Sequence, residues 1–379
     1  LSGYQAVGEL LRYVPAVSGN SASTLISNGG DGTATVTLRG LPASNTLVLL
    51  NGRRMNTDAL RGGAVDLNTL PLSIVDRIEI LKDGASAIYG SDAIAGVVNV
   101  ITKQNINGFS FDAYTGQSAQ GDLQTTHLSG LWGVEGERWN GALGINYYDQ
   151  TGVYSRHRSL SSSSDDRARG GIDKRSSAID PTRLGLSTGP VVLADNVAGV
   201  APEDFRSVTD EDRFEYRDFT SSIVPSTRLG GFANLTWDLS AQWQGYFEAL
   251  YHQTESRNTL APTPLLSAFE SEPIVVAAQQ PFNPFAETRF DVRRRLSELG
   301  LRKQINDTET YRTVLGLRHQ AQQFNIDAAI TFNQTDAEET FRNGANAARV
   351  ARALSDSCIA PCVPLNIFGP SGSINEDMR

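Results

Sequence analysis

The side chains that could do chemistry are scattered along this chain and form no evident catalytic group. The histidines are too far apart in sequence to suggest a metal site: His127, His157, His252 and His319. Neither an HExxH segment nor a GxxxxGK[ST] segment is present. With 33 basic and 42 acidic residues the net charge is −9, which argues against a nucleic-acid partner. We therefore predict a protein that is not an enzyme, with no catalytic residue, metal ligand or cofactor.

The only two cysteines, Cys358 and Cys362, lie four residues apart near the end of the chain. Read as half of a metal site, the pair lacks the further cysteine or histidine ligands that zinc needs. A local disulfide in an oxidising compartment is the alternative that we prefer. The neighbouring Pro361 and Pro364 favour a loop at this position.

One stretch, residues 72–103, predicts a strand, a tight turn, two short helices and a second strand. Residues 75–81 are mainly apolar, with charged residues in between. Asp83 can end this strand and cap a short helix, and Gly90 can end that helix. Residues 96–103 read GVVNVITK, which is apolar on both faces and indicates a strand that is buried on both sides.

This stretch closely resembles the end of the plug domain of TonB-dependent outer-membrane receptors. Three upstream segments resemble the family's plug core in order and spacing: TVTLRG at 35–40, TLVLLNGRRM at 46–55 and VDLNTLP at 65–71. The alternative is another small α/β domain.

The resemblance implies a small mixed α/β plug domain over residues 1–104, truncated at its N-terminus. We expect it to be one compact unit with four strands, near 34–39, 46–51, 75–82 and 96–103. The chain begins at Leu1 without a signal peptide, so we expect it to be a piece of a longer protein.

After residue 106 the pattern changes to strict alternation of apolar and polar residues, which is typical of strands in a transmembrane barrel. No apolar run reaches the roughly 18 residues of a membrane helix. For residues 105–379 we therefore predict the first part of a large antiparallel transmembrane β-barrel, which the resemblance implies to be of the 22-stranded type. About seven strands are expected, near 109–114, 123–133, 139–148, 228–237, 243–252, 310–319 and 324–333.

The four tryptophans, Trp132, Trp139, Trp237 and Trp243, bracket two short turns, at 133–138 and 238–242. Because amphipathic rings prefer the membrane–water boundary, we expect both turns at one interface, the periplasmic one. The alternative is that these are ordinary core tryptophans. The long polar segment 151–226 then becomes an extracellular loop. Residues 290–305 carry charges on both faces and are also expected in an extracellular loop.

By the same resemblance, the plug presents its polar loops, 19–33 and 55–64, toward the entering ligand. We predict that ligand-binding groups come from these loops; the alternative is that the loops are plain solvated turns. The candidates are Asn28, Asp31, Thr33, Asn56, Asp58 and Arg61.

A second prediction concerns charges on the plug. In the family, basic plug residues pair with barrel carboxylates, and Arg39 and Lys82 stand at equivalent motif positions, with Glu79 able to complete a network. A buried charge is tolerated only when it is paired. The alternative is a local cross-strand pair between Arg39 and Glu79.

The function implied by the resemblance is energised uptake of a scarce ligand across the outer membrane of a Gram-negative bacterium. Family ligands are ferric siderophores, cobalamin, haem or oligosaccharides. The expected partners are the TonB protein with ExbB and ExbD, reached through an N-terminal segment absent here, and outer-membrane lipid. Two alternatives stay open: a passive porin-like channel, and a soluble β-rich binding or adhesion protein.

Overall fold

The computed structural model describes residues 7–17, 32–60 and 62–378. The chain divides into two compact units. The first, here called the sheet unit, comprises Leu1–Val153, Ser222–Asn258 and Ile305–Thr340. The second, the loop unit, comprises Tyr154–Ser221, Thr259–Gln304 and Phe341–Arg379. None of the helices found in the described residues has the length and apolar character needed to cross a membrane.

Strands dominate both units, and the three α-helices found in the described ranges are short. The helices are α1 (Val7–Leu11), α2 (Ser86–Tyr89) and α3 (Ala347–Leu354). The strands are β1 (Thr46–Leu50), β2 (Arg53–Arg54), β3 (Val75–Leu81), β4 (Gly96–Thr102), β5 (Gly108–Gln117), β6 (Gln124–Glu135), β7 (Trp139–Gln150), β8 (Val153–Tyr154), β9 (Thr182–Leu186), β10 (Gly189–Leu193), β11 (Phe205–Ser207), β12 (Ser221–Ile223), β13 (Ser226–Asp238), β14 (Trp243–Leu260), β15 (Thr263–Leu266), β16 (Val292–Leu296), β17 (Arg302–Gln320) and β18 (Asn325–Arg342).

The N-terminal part of the sheet unit holds a four-stranded sheet in the order β2-β1-β4-β3. Strands β1 and β4 run parallel in the centre, with Thr46 opposite Gly96, and β3 pairs antiparallel with β4. All five residues of β1 are buried, as expected for an apolar strand that is covered on both faces. The two short helices predicted between β3 and β4 are confirmed as α2 and a 3-10 turn at Ser91–Ala93.

The predicted strand at 34–39 is wrong. In this segment only Leu38 makes a β-bridge, to Val17. Its apolar residues are buried in the core, while the Ala34 backbone bonds to the 66–67 segment instead of to a strand. The fourth strand is Arg53–Arg54, which follows a tight turn at Asn51 and Gly52, both with positive φ.

Seven long strands form the rest of the sheet unit, in the order β18-β17-β14-β13-β7-β6-β5. The pairs from β5 to β7, β7 with β13 and β13 with β14 are antiparallel. All seven predicted strands are therefore confirmed, and with them the fold class: a small α/β plug followed by antiparallel barrel-type strands. The sheet is not closed within the described residues.

The two faces of the seven-stranded sheet differ. Phe232 and Leu250 point to the inner face and belong to the same hydrophobic core as the residues of β1, β4 and α1. On the outer face large apolar side chains are exposed, for example Ile145 and Ile330 at 62% and 79%. The plug therefore covers one side of the sheet and leaves the other side apolar and open. The domain boundary at residue 104 stays a prediction.

The loop unit is a folded body with its own sheet and core. Its five strands have the order β11-β10-β9-β16-β15. Aliphatic residues and Phe368 pack in its core, together with Leu354 of α3. Residues 290–305, which we expect in an extracellular loop, are partly regular in structure. Residues 292–296 form the buried strand β16, and β17 already begins at Arg302.

Candidate functional site

Three of the predicted ligand-binding residues, Asn28, Asp31 and Arg61, lie outside the described residues. Thr33 and Asn56 are half-buried. The Asn56 amide donates to the Thr335 hydroxyl of β18 over 3.5 Å. Asn56, one of the predicted ligand-binding residues, is thus joined to the seven-stranded sheet by a side-chain hydrogen bond.

Asp58 is buried, at 7% exposure, and organises its own loop. Its carboxylate accepts from the Leu60 N–H at 3.2 Å, and its backbone bonds to Ala64 and Gly62. An aspartate that accepts from the backbone two residues on forms a local turn. Asp58 is therefore not part of a plain solvated turn, because its carboxylate is buried and bonds within the 58–60 turn, while its backbone closes the 58–64 loop. A ligand-binding role for Asp58 stays a prediction.

The predicted network of Arg39, Glu79 and Lys82 is not formed among the described residues. Arg39 is exposed and donates to the Ile94 carbonyl at 3.1 Å. Glu79 accepts from Arg77, a neighbour on the same strand, and from Asn99. Lys82 is exposed. The alternative of a local Arg39–Glu79 pair is not formed either, because residues 34–39 make no strand beside β3 and each side chain has another partner. Pairing of Arg39 and Lys82 with barrel carboxylates stays a prediction.

The plug instead contacts the seven-stranded sheet through the β1–β2 turn. We did not predict this contact from the sequence. Asn51 adopts φ +52°, a left-handed conformation that asparagine tolerates better than most residues. Its amide donates to the Glu248 carboxylate at 2.9 Å and to the Thr102 hydroxyl at 3.0 Å. Its carbonyl oxygen accepts from the Thr102 N–H at 3.0 Å. One side chain thus ties β1 to β4 and to β14.

Glu248 also accepts from Arg312 of β17, with 3.0 Å between Nη1 and Oε2. Both side chains are nearly inaccessible, at 10% and 2% exposure. Arg312 reaches back to the plug as well, donating to the Leu50 carbonyl at 3.4 Å. Buried charges are tolerated when they are paired and hydrogen-bonded, and removal of one partner strongly destabilises the other. The plug therefore completes the bonding of an ion pair within the sheet.

A second, more exposed contact lies two residues further along the turn. Arg53 pairs with Asp327 of β18 and also donates to the Tyr246 hydroxyl. The Tyr246 hydroxyl in turn donates to Asp327 at 2.6 Å, and Arg318 bonds to the other carboxylate oxygen at 3.2 Å. We call residues Leu50–Arg53 with Tyr246, Glu248, Arg312, Arg318 and Asp327 the turn contact.

A signal for the turn contact was present in the sequence. Glu248, Arg312, Arg318 and Asp327 all stand at positions of alternating strands that face away from the apolar side. Charges at such positions face the interior of a barrel, where a partner is needed. The plug partner was harder to find, because Asn51 is uncharged and its role depends on the turn conformation.

Asp66 is a further buried carboxylate of the plug. Its Oδ1 atom accepts from the N–H groups of Ala34 and Asn68, at 2.8 and 3.0 Å. Burial raises its pKa from 3.8 to about 6, against the opposing effect of these two hydrogen bonds and of Arg228. Asn68 extends the network by donating to the Gly32 carbonyl at 2.9 Å. Asp66 thus joins two irregular segments of the plug.

The loop unit supplies no catalytic arrangement among its described residues. The sequence contains one GxSxG segment, Gly185 to Gly189, but it forms the turn between β9 and β10. A nucleophile elbow requires a strand-to-helix turn. Ser187 is an exposed turn residue. Cys358 and Cys362 are joined by a disulfide.

Comparison with known proteins identifies the N-terminal domain. Residues 2–97 match the family model of the TonB-dependent receptor plug domain. The chain therefore carries a TonB-dependent receptor plug domain, and the proteins that it resembles are receptors and not enzymes.

Solved structures similar to this chain include a ferric enterobactin receptor from Pseudomonas aeruginosa, at 14% identity over 88% of this chain and 43% of that one, with a TM-score of 0.45. Another is BauA, the ferric preacinetobactin receptor from Acinetobacter baumannii, at 13% identity over 91% and 46%, with a TM-score of 0.46. The ferric citrate transporter FecA matches at 14% over 89% and 46%, with a TM-score of 0.42. The chain spans less than half the length of each of these proteins.

Proposed function

We propose that the protein to which this chain belongs takes up a scarce ligand across an outer membrane in a TonB-dependent manner. The observation that carries the proposal is the turn contact, in which a folded plug is bonded to the inner face of barrel-type strands through Glu248 and Asp327. The plug is held on the sheet by these polar contacts and by the core that it shares with Phe232 and Leu250. Because none of these contacts is covalent, such a plug can close the path and still be displaced by an applied force.

The outer face of the seven-stranded sheet supports a place in the outer membrane. In β7 and in β14 a tryptophan near the turn is followed eight residues later by an outward tyrosine: Trp139 and Tyr147, Trp243 and Tyr251. Eight residues extend about 26 Å along a strand. This length is close to the roughly 25 Å apolar band, flanked by aromatic residues, of outer-membrane barrels. Trp139 also lies directly opposite Trp237 in β13.

The match to the plug family supports a scarce nutrient as the ligand. The solved structures named above include receptors for ferric siderophores. We propose a small extracellular ligand of the siderophore or glycan kind, bound in part by the plug loops around Thr33 and Asn56. Asn56 already bonds a hydroxyl of β18, so an incoming hydroxyl-rich group can exchange with Thr335. The proposed partner on the other side is TonB with ExbB and ExbD.

Growth on a panel of ferric siderophores and oligosaccharides tests the proposal, with the intact receptor gene present or deleted in strains with and without TonB. We expect at least one compound whose use needs both the receptor and TonB, and we expect the receptor in the outer-membrane fraction. Receptor-dependent growth that persists without TonB would favour the passive channel. Recovery in the soluble periplasm would favour the binding or adhesion protein.

A further inference from the structure

The loop unit contains an apolar cavity of about 180 Å³ between the end of β16, helix α3 and the segment that follows the disulfide. Its walls are mostly aliphatic and carry no aromatic ring. The principal lining residues are Leu296, Leu299, Val350, Leu365, Ile374 and Met378. A cavity of this size and lining suits a short, flexible hydrocarbon chain, whereas a large planar ring would find no aromatic surface against which to stack.

One charged side chain, Arg349 of α3, belongs to the lining of this cavity. Arg349 is exposed, and the described part of the chain places no carboxylate within ion-pair distance of its guanidinium. Its backbone N–H, in contrast, is taken up by the Asn346 side chain at 3.1 Å, which caps the helix. Among the described residues, the Arg349 guanidinium therefore keeps its donors available at the edge of an aliphatic cavity.

Guanidinium groups bind carboxylates in a bidentate manner, and the attraction is stronger beside a surface of low polarity. We propose that this cavity binds a soluble anionic amphiphile, with its short aliphatic chain among the leucines and its carboxylate on Arg349. In a receptor for extracellular ligands, such a site would recognise an acyl group. The proposal concerns binding in the loop unit alone and stands independently of TonB-dependent uptake.

Titration calorimetry of the intact receptor with octanoate tests this site directly, with the receptor held in nanodiscs so that no detergent competes. We expect saturable binding at one site per receptor, weaker binding of butanoate, and at least tenfold weaker binding of the uncharged octanol. Arg349→Gln should weaken octanoate binding about tenfold or more, since one charge-assisted contact is lost. Arg352→Gln, the matched change of an exposed arginine that does not line the cavity, should change the affinity less than threefold.

A third variant, Ala353→Leu, places extra side-chain volume at a lining position and should abolish octanoate binding. Three results would overturn the proposal: absence of saturable octanoate binding to the unmodified receptor, equal losses in the Arg349 and Arg352 variants, or unchanged binding in Ala353→Leu. An unchanged disulfide and unchanged circular dichroism show that each variant is folded.

Discussion

Both units contain buried arginines, but these side chains bind different kinds of partner. In the sheet unit, Arg312 is held by the carboxylate of Glu248 and reaches one backbone carbonyl of the plug. In the loop unit, Arg294 has no exposed surface and donates to the carbonyls of Ile367, Gly369 and Pro370, as well as to Glu298.

The difference follows from backbone regularity. Long strands satisfy their own backbone groups, so an arginine between them is free to bind side chains. Irregular segments leave carbonyls that need donors, and every buried one must be satisfied. Arg295 repeats the pattern, donating to the carbonyls of Ala178 and Pro262. In the loop unit, arginines therefore connect irregular backbone segments of that unit to one another. In the sheet unit, Arg312 instead connects the plug to the seven-stranded sheet.

The largest effect is expected from Arg294→Met. This change leaves Glu298, at 4% side-chain exposure, without its cation and takes the arginine donor away from the Gly369 carbonyl. The Ile367 and Pro370 carbonyls keep donors from Thr182 and Ser373. Breaking a buried pair from one side costs about 3–5 kcal/mol. This loss of stability should appear as faster amide hydrogen exchange in β9 and β16, while exchange in β7 and β13 stays unchanged. Arg293→Met is the matched control, because Arg293 is less buried and pairs with Asp291. Equal effects of the two substitutions would contradict the account.

The next effect concerns pH and the plug. Because folding raises the pKa of Asp66 from 3.8 to about 6, the folded plug binds more protons than the unfolded one between these values. The contribution of Asp66 to plug stability should be greatest below about pH 4 and fall as pH rises to 6, by up to about 3 kcal/mol.

Amide exchange at Ala34 and Asn68, corrected for intrinsic rates, measures this pH dependence. The same amides in Asp66→Asn should lose it, since the amide oxygen still accepts but no longer titrates. Asp83→Asn, at an exposed position, is the control and should keep it. A pH dependence that survives in Asp66→Asn would show that another group is responsible.

A smaller effect is expected at the exposed part of the turn contact. The side chains of Arg53 and Asp327 are 19% and 42% exposed, so solvent screens their attraction. A double-mutant cycle of Arg53→Ala and Asp327→Ala should give a coupling of about 0.5–1 kcal/mol in plug stability. A coupling above 3 kcal/mol would mean that this pair, and not the buried one, holds the plug.

Much of the fold could be predicted because alternation directly reports the side on which a residue lies. In β7 the large apolar residues Trp139, Leu143, Ile145 and Tyr147 are exposed on the outer face, as their spacing indicated. The segment 34–39 misled because its apolar residues are buried without pairing in a sheet. Alternation cannot distinguish a buried irregular segment from a buried strand.

The polar sites were harder to predict from the sequence than the strands. Asp58 looked like a free loop carboxylate, but its turn geometry buries it. Arg294 and Arg295 stand in a charged run that we expected in a loop, and their burial depends on carbonyls of residues distant in sequence and on Glu298. Such partners depend on the three-dimensional path of irregular segments, which no local pattern specifies.

The central claim is that the plug is held on the inner face of the sheet through the Asn51–Glu248 hydrogen bond. A double-mutant cycle of Asn51→Gly and Glu248→Ala in the intact receptor tests it, with hydrogen exchange of β1 and β4 as the readout. Glycine accepts the positive φ of Asn51, so the change removes the side chain without backbone strain. We predict a coupling of about 1.5–3 kcal/mol, the range for hydrogen bonds to a charged group. A coupling within about 0.5 kcal/mol of zero would contradict the account.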